Sequence, residues 1–231
     1  MLTFVYFRLT FLFSLIILIS NMFQNNIKIV FRKEWYHSMN QTTSASVNSN
    51  RPLTTSRLVR IALVTAVTCI LAPMSIPIPL SPVPITLTNL VLLTGLYVLD
   101  WKDSLISYVI YLLIGLAGLP VFSGFSGGPG KIAGPTGGYL AGFLIMLLIA
   151  GLIVHASHGK RIPSIFGMIL GSAATYLFGT LWLAFQMDLG FMAALSIGVL
   201  PYLAGDLIKI LIAAGIMPVI GGRIKSIEPT R

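Results

Sequence analysis

The sequence contains few charged residues, and acids are especially scarce. Only 9% of its 231 residues are charged, with 6 acids against 15 bases. A soluble globular domain carries about a quarter charged residues, so this composition excludes an ordinary soluble protein. Hydrophobic residues make up 56% of the chain, and its mean hydropathy is +0.92. The sequence therefore indicates an integral membrane protein. The net charge of +9 is interpreted as a topology signal and not as a nucleic-acid footprint.

Cysteine and the common nucleotide and metal motifs are also missing. The single cysteine, Cys69, excludes an intrachain disulfide. The glycine-rich stretch at residues 124–138 fails as a phosphate loop, because Ile132 stands where Ser or Thr is needed. His155 and His158 are three residues apart with no acid between them, whereas a helical zinc pair is four apart with an acid. We therefore expect no metal site, and any ATPase must be another chain.

Catalytic constellations are equally scarce. The sequence offers no Ser/His/Asp set at one depth of the predicted membrane and no paired carboxylates. We therefore expect a protein that is not an enzyme. A membrane enzyme that uses Asp206 as a base on a lipid-like substrate stays an alternative.

Apolar runs separated by polar turns predict an all-α, polytopic membrane protein with six transmembrane helices. The runs cover residues 57–74, 85–99, 104–119, 136–156, 163–186 and 196–220. Lys and Arg concentrate in alternate connections, which predicts that both ends are cytoplasmic. The segment 75–84 contains four prolines and is expected to be an extended loop. It shares the outer face with the glycine-rich loop 121–135 and the connection 187–195.

The sequence predicts three parts of unequal size. Residues 1–56 form an N-terminal extension, with a short apolar segment followed by a polar linker. This extension is either a real amphiphilic segment or the result of a misassigned start, since Met39 offers a later one. Residues 57–220 form the transmembrane domain, and residues 221–231 form a basic cytoplasmic tail.

The last predicted span contains one acid and one base, Asp206 and Lys209. Three residues apart, they share one face of a helix. An ionisable side chain near mid-bilayer costs roughly 2.5–3.5 kcal/mol on insertion scales, so such a pair often marks a polar cavity. Two interpretations stay open: the pair lines the binding pocket of a small polar solute, or it is an internal ion pair that only fixes helix packing.

Other candidate binding residues lie in the glycine-rich loop and on the second span. We expect the loop, with Gly127 and Gly128 at its centre, to form a pocket wall, since glycines allow close approach of the backbone. A flexible outer loop is the alternative. Phe122, Phe125 and Tyr139 could stack on a flat ligand. Asn89, inside the second span, needs a hydrogen-bond partner, either another helix or a ligand.

Four segments together resemble the BioY family, the biotin-binding substrate-specific (S) components of energy-coupling factor (ECF) transporters. They are S-P-V-P-I-T-L at 81–87, G-L-P-V-F-S-G at 118–124, G-P-T-G-G-Y-L-A-G-F at 134–143 and P-Y-L-A-G-D-L-I-K at 201–209. The resemblance covers about residues 57–220 and leaves out the N-terminal extension. The family commonly has Gln after P-I-T-L, where this chain has Thr88 followed by Asn89.

The resemblance implies a six-helix S component of the plasma membrane that captures biotin at the outer face, with residues 75–84 as a lid. Asp206 and Lys209 look like ligand residues. Ala62 and Ala66 match the family's A-x-x-x-A patch, which meets a transmembrane coupling protein. Two ATPase subunits on other chains supply the energy, and no cofactor is implied.

Two further alternatives remain beside biotin transport. One is an S component for another vitamin, such as thiamine or riboflavin. The other is a structural membrane subunit with no small-molecule ligand. The sequence does not decide which end of biotin would meet Lys209.

Overall fold

The computed structural model describes residues 55–79 and 81–225, with side chains up to residue 215. The predicted extension 1–56 lies outside this part except for its last two residues, as does the end of the tail. In chain order the elements are α1 (Thr55–Leu71), β1 (Ile76–Ile78), β2 (Ser81–Ile85), α2 (Thr88–Val98), α3 (Trp101–Leu116), α4 (Pro129–Ala133), α5 (Gly137–Ala156), α6 (Arg161–Met187), α7 (Phe191–Gly198) and α8 (Leu200–Lys225). The prediction of a mainly helical protein is confirmed.

The proline-rich segment forms a β-hairpin, which corrects the all-α prediction. Ile76 pairs with Ile85 and Ile78 pairs with Ser81 in an antiparallel ladder. Proline cannot donate to a ladder, but in a two-stranded sheet each strand has an open edge where a missing N–H is tolerated. The predicted extended backbone is therefore present, with strand pairing added to it.

The prolines also set the helix ends on either side of the hairpin. α1 ends at Leu71, three residues before the predicted boundary, because Pro73 disfavours helical backbone at the residue before it. α2 begins only at Thr88 and has 11 residues. At 1.5 Å per residue it is about 17 Å long, which is shorter than a bilayer core of about 30 Å.

The helices differ in whether they could cross a membrane alone. Among the described residues, α5 and α6 are long and apolar enough, and α7 with α8 would make a third span despite a 46° bend between them. The count of six spans and the cytoplasmic position of both ends remain predictions.

Glycines allow α5 and α6 to pack closely along each other. A Cβ at Gly142 would lie 3.0 Å from Thr175, one at Gly171 would lie 2.9 Å from the carbonyl oxygen of Met146, and one at Gly167 would lie 2.8 Å from Ile153. The order of these contacts shows that the two helices run antiparallel, with the glycines of each helix facing larger residues of the other. In lipid such small residues allow backbones to approach and gain van der Waals contact.

An aromatic cluster fills the space between α3, α5 and the glycine-rich loop. Tyr111 stacks on Tyr108 at a ring separation of 5.5 Å and meets Phe122 edge-on at 5.5 Å. Phe143 contacts Tyr108 edge-on at 6.1 Å. The Tyr108 hydroxyl donates to the Leu140 carbonyl at 2.8 Å, so the polar group of this buried side chain has a hydrogen-bond partner. Two of its members, Tyr111 and Phe143, also line the cavity described next.

Candidate functional site

A cavity opens between the hairpin and helices α2, α5, α6 and α8. Its empty volume is about 740 Å³, which includes the open space at its mouth. Its lining mixes apolar and aromatic walls with a few polar groups. The lining residues are Val83, Pro84, Thr86, Thr88, Asn89, Tyr111, Ser123, Thr136, Tyr139, Leu140, Phe143, Met146, Ser172, Thr175, Tyr176, Gly198, Tyr202, Asp206 and Lys209.

Asp206 and Lys209 form an ion pair in the wall of this cavity. The Lys209 ammonium donates to Oδ1 of Asp206 at 2.8 Å, and both side chains are largely buried, with 12% of Lys209 and 14% of Asp206 exposed. The Tyr176 hydroxyl donates to the other carboxylate oxygen, Oδ2, at 2.5 Å. Both oxygens of Asp206 therefore have a donor inside the protein, and the carboxylate is fixed in place.

The same helix face also holds the hairpin. Lys209 donates a second hydrogen bond, at 2.8 Å, to the backbone carbonyl of Thr86, just after β2. The Tyr202 hydroxyl donates to the carbonyl of Val83 within β2. Tyr202 and Lys209 are seven residues apart, two turns of α8, so they fasten two points of the hairpin strand to one face.

Two buried polar side chains in the lining lack partners. The Oδ1 atom of Asn89, a residue only 4% exposed, has no hydrogen-bond partner in the described part of the chain. The hydroxyl of Thr136, 8% exposed, has none within the same residues. An unsatisfied buried polar group costs about 1–3 kcal/mol, so both positions are suited to a ligand that completes their hydrogen bonding.

Tyr139 lies in the lining, as the sequence predicted, but its role is partly structural. Its hydroxyl donates to the carbonyl of Gly198 at 3.0 Å, at the break between α7 and α8. Its ring packs against Gly179, where a Cβ would collide with the ring. The break leaves the last carbonyl groups of α7 without helical partners, and Tyr139 satisfies one of them while it also lines the cavity.

The glycine-rich loop lies elsewhere. Gly127 and Gly128 are not among the lining residues; the backbone of Gly127 approaches the carbonyl of Leu119, and Gly128 donates to the carbonyl of Gly115 at 2.7 Å. Phe122 is 0% exposed in the aromatic cluster, and Phe125 is 68% exposed outside the cavity. Of this loop only Ser123 reaches the lining.

Ala62 and Ala66 lie on an exposed face of α1. Leu58 and Ile70, one turn before and one turn after them, are exposed by 48% and 55%. The four residues make one continuous stripe at four-residue spacing. None of the four residues lines the cavity, and the assignment of the stripe to a partner protein stays a prediction.

Sequence reasoning missed several residues of the site, among them Tyr202, Tyr176 and Thr136. Tyr202 stands one turn before Asp206, so the spacing of residues 202, 206 and 209 carried a usable signal. Tyr176 and Thr136 come from other parts of the chain, and only tertiary packing brings them to the cavity.

Comparison with known proteins decides the family. A family model described as the BioY family matches residues 40–226, most of the chain. The chain belongs to the BioY family. It is 41% identical over 150 residues to a probable biotin transporter BioY of Pyrococcus horikoshii, covering 64% of this chain and 86% of that relative. It is 36% identical over 152 residues to the biotin transporter BioY2 of Lactococcus lactis, covering 66% and 82%.

A solved structure supports the same fold. The crystal structure of the S component for biotin from an ECF-type ABC transporter superposes with a TM-score of 0.68 at 28% identity, covering 78% of this chain and 95% of that one. The chain is therefore a helical membrane protein of a transporter family. The prediction that it is not an enzyme agrees with these relatives, which are named as transporters.

Proposed function

We propose that this BioY family chain is the biotin-binding transmembrane subunit of an ECF-type transporter. The observation that carries the proposal is the cavity, in which the Asp206–Lys209 pair and the unpartnered Asn89 interrupt an otherwise largely apolar wall. The chain captures biotin in this cavity and releases it on the other side of the membrane. The names of its relatives support biotin as the ligand.

The chemistry of biotin matches these groups. Its ureido ring carries two N–H donors and one carbonyl acceptor, and Asn89 Oδ1 is a buried acceptor in need of a donor. Lys209 uses two of its three hydrogens on Asp206 and Thr86, which leaves the third for an oxygen of the ligand. The thioether ring and the aliphatic chain suit apolar side chains such as Phe143 and Met146.

Transport requires an energy source outside this chain. We propose that two ATPase subunits and a transmembrane coupling protein supply it, with Ala62 and Ala66 on the exposed stripe of α1 at the coupling interface. We further propose six spans in the plasma membrane with both ends cytoplasmic, the hairpin covering the cavity from outside.

Radiolabelled biotin uptake tests the function directly. Cells that lack biotin transport are given this chain with and without a coupling protein and its ATPases. We expect saturable uptake with the complete set, abolished when the coupling ATPases are inactivated. The assignment of biotin as the ligand would be contradicted if no combination took up or bound biotin and the chain bound another vitamin instead.

Cysteine labelling tests the topology. In a Cys69→Ala background, Lys160→Cys and Gly190→Cys place single thiols at opposite ends of α6, both at exposed positions. We expect a membrane-impermeant reagent to label only Gly190→Cys in intact cells and both variants after lysis. The reverse pattern would overturn the proposed orientation.

A further inference from the structure

Helix α1 is attached to α3 by an ion pair near the beginning of both helices. The guanidinium of Arg57 donates from Nη2 to Oδ1 of Asp103 at 2.5 Å and from Nε to Oδ2 at 2.8 Å. The side chain of Asp103 is only 8% exposed, and that of Arg57 is 33% exposed. Such a two-point contact between a planar guanidinium and a carboxylate fixes direction as well as distance. The start of α1 therefore has one defined position on α3.

A second polar contact joins the same two helices farther along. The hydroxyls of Thr65 and Ser107 lie 2.9 Å apart, and both residues are buried. Arg57 and Thr65 are eight residues apart in α1, which is about 12 Å along a helix. A helix held at one point can still tilt and rotate about that point, whereas two points restrict both movements. We call the Arg57–Asp103 and Thr65–Ser107 contacts together the α1–α3 clamp.

The clamp also determines which side of α1 faces outward. Ala62 and Ala66 lie exposed on the stripe described above, and the buried residues of the helix lie elsewhere on its circumference: Ile61, Val64, Thr65, Thr68 and Leu71. Successive residues are about 100° apart around a helix. Rotation of α1 by one residue would therefore put larger side chains, such as Leu63 and Val67, where the two alanines now stand. In lipid it is the small residues that let another helix approach closely.

The clamp is separate from the cavity. None of its four residues lines the cavity, and within the described part of the chain α1 contributes no residue to the lining. A buried ion pair adds little net stability compared with apolar residues of similar volume, and its best-attested use is to fix the register of packed helices. Both observations favour a role in the orientation of α1 and not in ligand binding.

We propose that the α1–α3 clamp positions α1 for coupling, so that Ala62 and Ala66 face the transmembrane coupling protein. Arg57 and Asp103 are then positioning residues, which act through the orientation of the helix. This inference rests on the proposed function, since it takes the stripe as the coupling interface. It predicts that the clamp is needed for biotin transport but not for biotin binding.

The test measures binding and transport separately. Biotin affinity is measured by calorimetry on the purified full chain, and the KM and maximal rate of biotin uptake are measured in cells that also contain a coupling protein and its ATPases. Copurification with the tagged coupling protein reports assembly. We expect Asp103→Asn to keep the biotin affinity of the wild type but to lower the maximal uptake rate and copurification by roughly tenfold, the factor expected for loss of a charge-assisted hydrogen bond. Asp103→Glu keeps the carboxylate and is expected to restore uptake.

Two further variants frame this comparison. Asp100→Asn is the matched control, because Asp100 lies three residues before Asp103 but its side chain is 73% exposed, with His155 as its partner at 3.6 Å. We expect wild-type uptake from this variant. Ala62→Leu fills the stripe itself and is expected to lose uptake while it keeps biotin affinity.

Wild-type uptake and copurification by a folded Asp103→Asn, while Ala62→Leu loses both, would overturn the inference and leave the proposed function intact. Parallel losses of biotin affinity and uptake in Asp103→Asn would indicate a general structural role and would also overturn it. The same holds if Arg57→Gln loses uptake and Asp103→Asn does not, since Arg57 would then contact the partner directly.

Thermal unfolding in detergent shows which variants are folded. If Asp103→Asn does not fold, Thr65→Val decides, because it removes the second contact of the clamp without changing a charge or the side-chain shape. A lower uptake rate at unchanged biotin affinity in Thr65→Val supports the inference, and wild-type uptake overturns it. Absence of biotin binding and uptake in the wild-type chain would overturn the proposed function, and the inference with it.

Discussion

Tyr202 donates its hydroxyl hydrogen to the backbone carbonyl of Val83, so α8 holds the middle of strand β2 by a directed hydrogen bond. Lys209, two turns later, holds the end of the same strand segment through Thr86. The helix that carries the ion pair therefore also carries the attachments of the hairpin beside the cavity. We therefore expect occupancy of the cavity to influence the position of the hairpin through this helix face.

Removing the Tyr202 hydroxyl is expected to loosen the hairpin without removing a charged group. A hydrogen bond of this kind contributes about 1 kcal/mol, which corresponds to roughly a fivefold change in rate or affinity. We predict that Tyr202→Phe raises the rate of biotin dissociation by about this factor, because the hairpin opens more often. Stopped-flow chase of bound biotin by unlabelled ligand measures this rate.

Tyr108→Phe is the matched control. Its hydroxyl also donates to a backbone carbonyl, that of Leu140, but the residue is fully buried and does not line the cavity. We expect Tyr108→Phe to lower thermal stability with little effect on dissociation. Equal dissociation rates in Tyr202→Phe and the wild type would mean that this bond does not restrain the hairpin.

The Asp206–Lys209 pair is expected to respond differently to single and double substitution. Lys209→Met leaves a buried carboxylate uncompensated, and breaking a buried pair in this way costs about 3–5 kcal/mol. The double variant Asp206→Asn/Lys209→Met removes both charges. We predict that it recovers most of the thermal stability lost by the single variant but does not recover biotin binding.

This comparison separates the two interpretations of the pair. If the pair only fixes helix packing, the double variant is stable and binds biotin as well as the wild type. Thermal unfolding in detergent and equilibrium binding on the same preparations give both quantities. Wild-type affinity in a stable double variant would remove Asp206 and Lys209 from the site.

Gly115 is predicted to be essential for packing of the aromatic cluster. A Cβ at this position would collide with the ring of Phe122, which is fully buried. Overpacking of a filled core typically costs about 1–3 kcal/mol, so Gly115→Ala should lower the unfolding temperature by several degrees.

Gly130→Ala is the control for this substitution. A Cβ added at Gly130 would meet open space within the described part of the chain, so we expect this variant to unfold like the wild type. Thermal unfolding of both variants in the same detergent gives the comparison. Equal stability of the two variants would show that the cluster yields to the extra methyl group.

Much of the fold could be predicted from the local properties of the sequence, but the cavity could not. The prolines at 77, 79, 82 and 84 excluded a helix, yet pairing of Ile76 with Ile85 depends on a register that composition does not specify. The late start of α2 has the same cause, because this helix follows the hairpin. Apolar length predicted six spans, whereas among the described residues only α5, α6 and the bent pair α7–α8 meet the length test.

Of the candidate site, too, only some residues could be predicted from the sequence. Asp206 and Lys209 were recognisable because charge inside an apolar run is costly and their spacing puts them on one face. Gly127 and Gly128 drew attention by composition, but the structure uses their small size to let the loop approach Gly115 and Leu119. Thr136 and Tyr176 carried no local signal, since their importance arises from what several helices bring together.

Biotin binding to the purified chain, set against substitutions in the lining, tests the central claim most directly. The account predicts one biotin per chain, a large loss of affinity in Asn89→Leu and in Asp206→Asn, and near wild-type affinity in Phe125→Ala, which lies outside the cavity. Biotin bound with unchanged affinity by both lining variants, or no biotin bound by the wild-type chain, would contradict it.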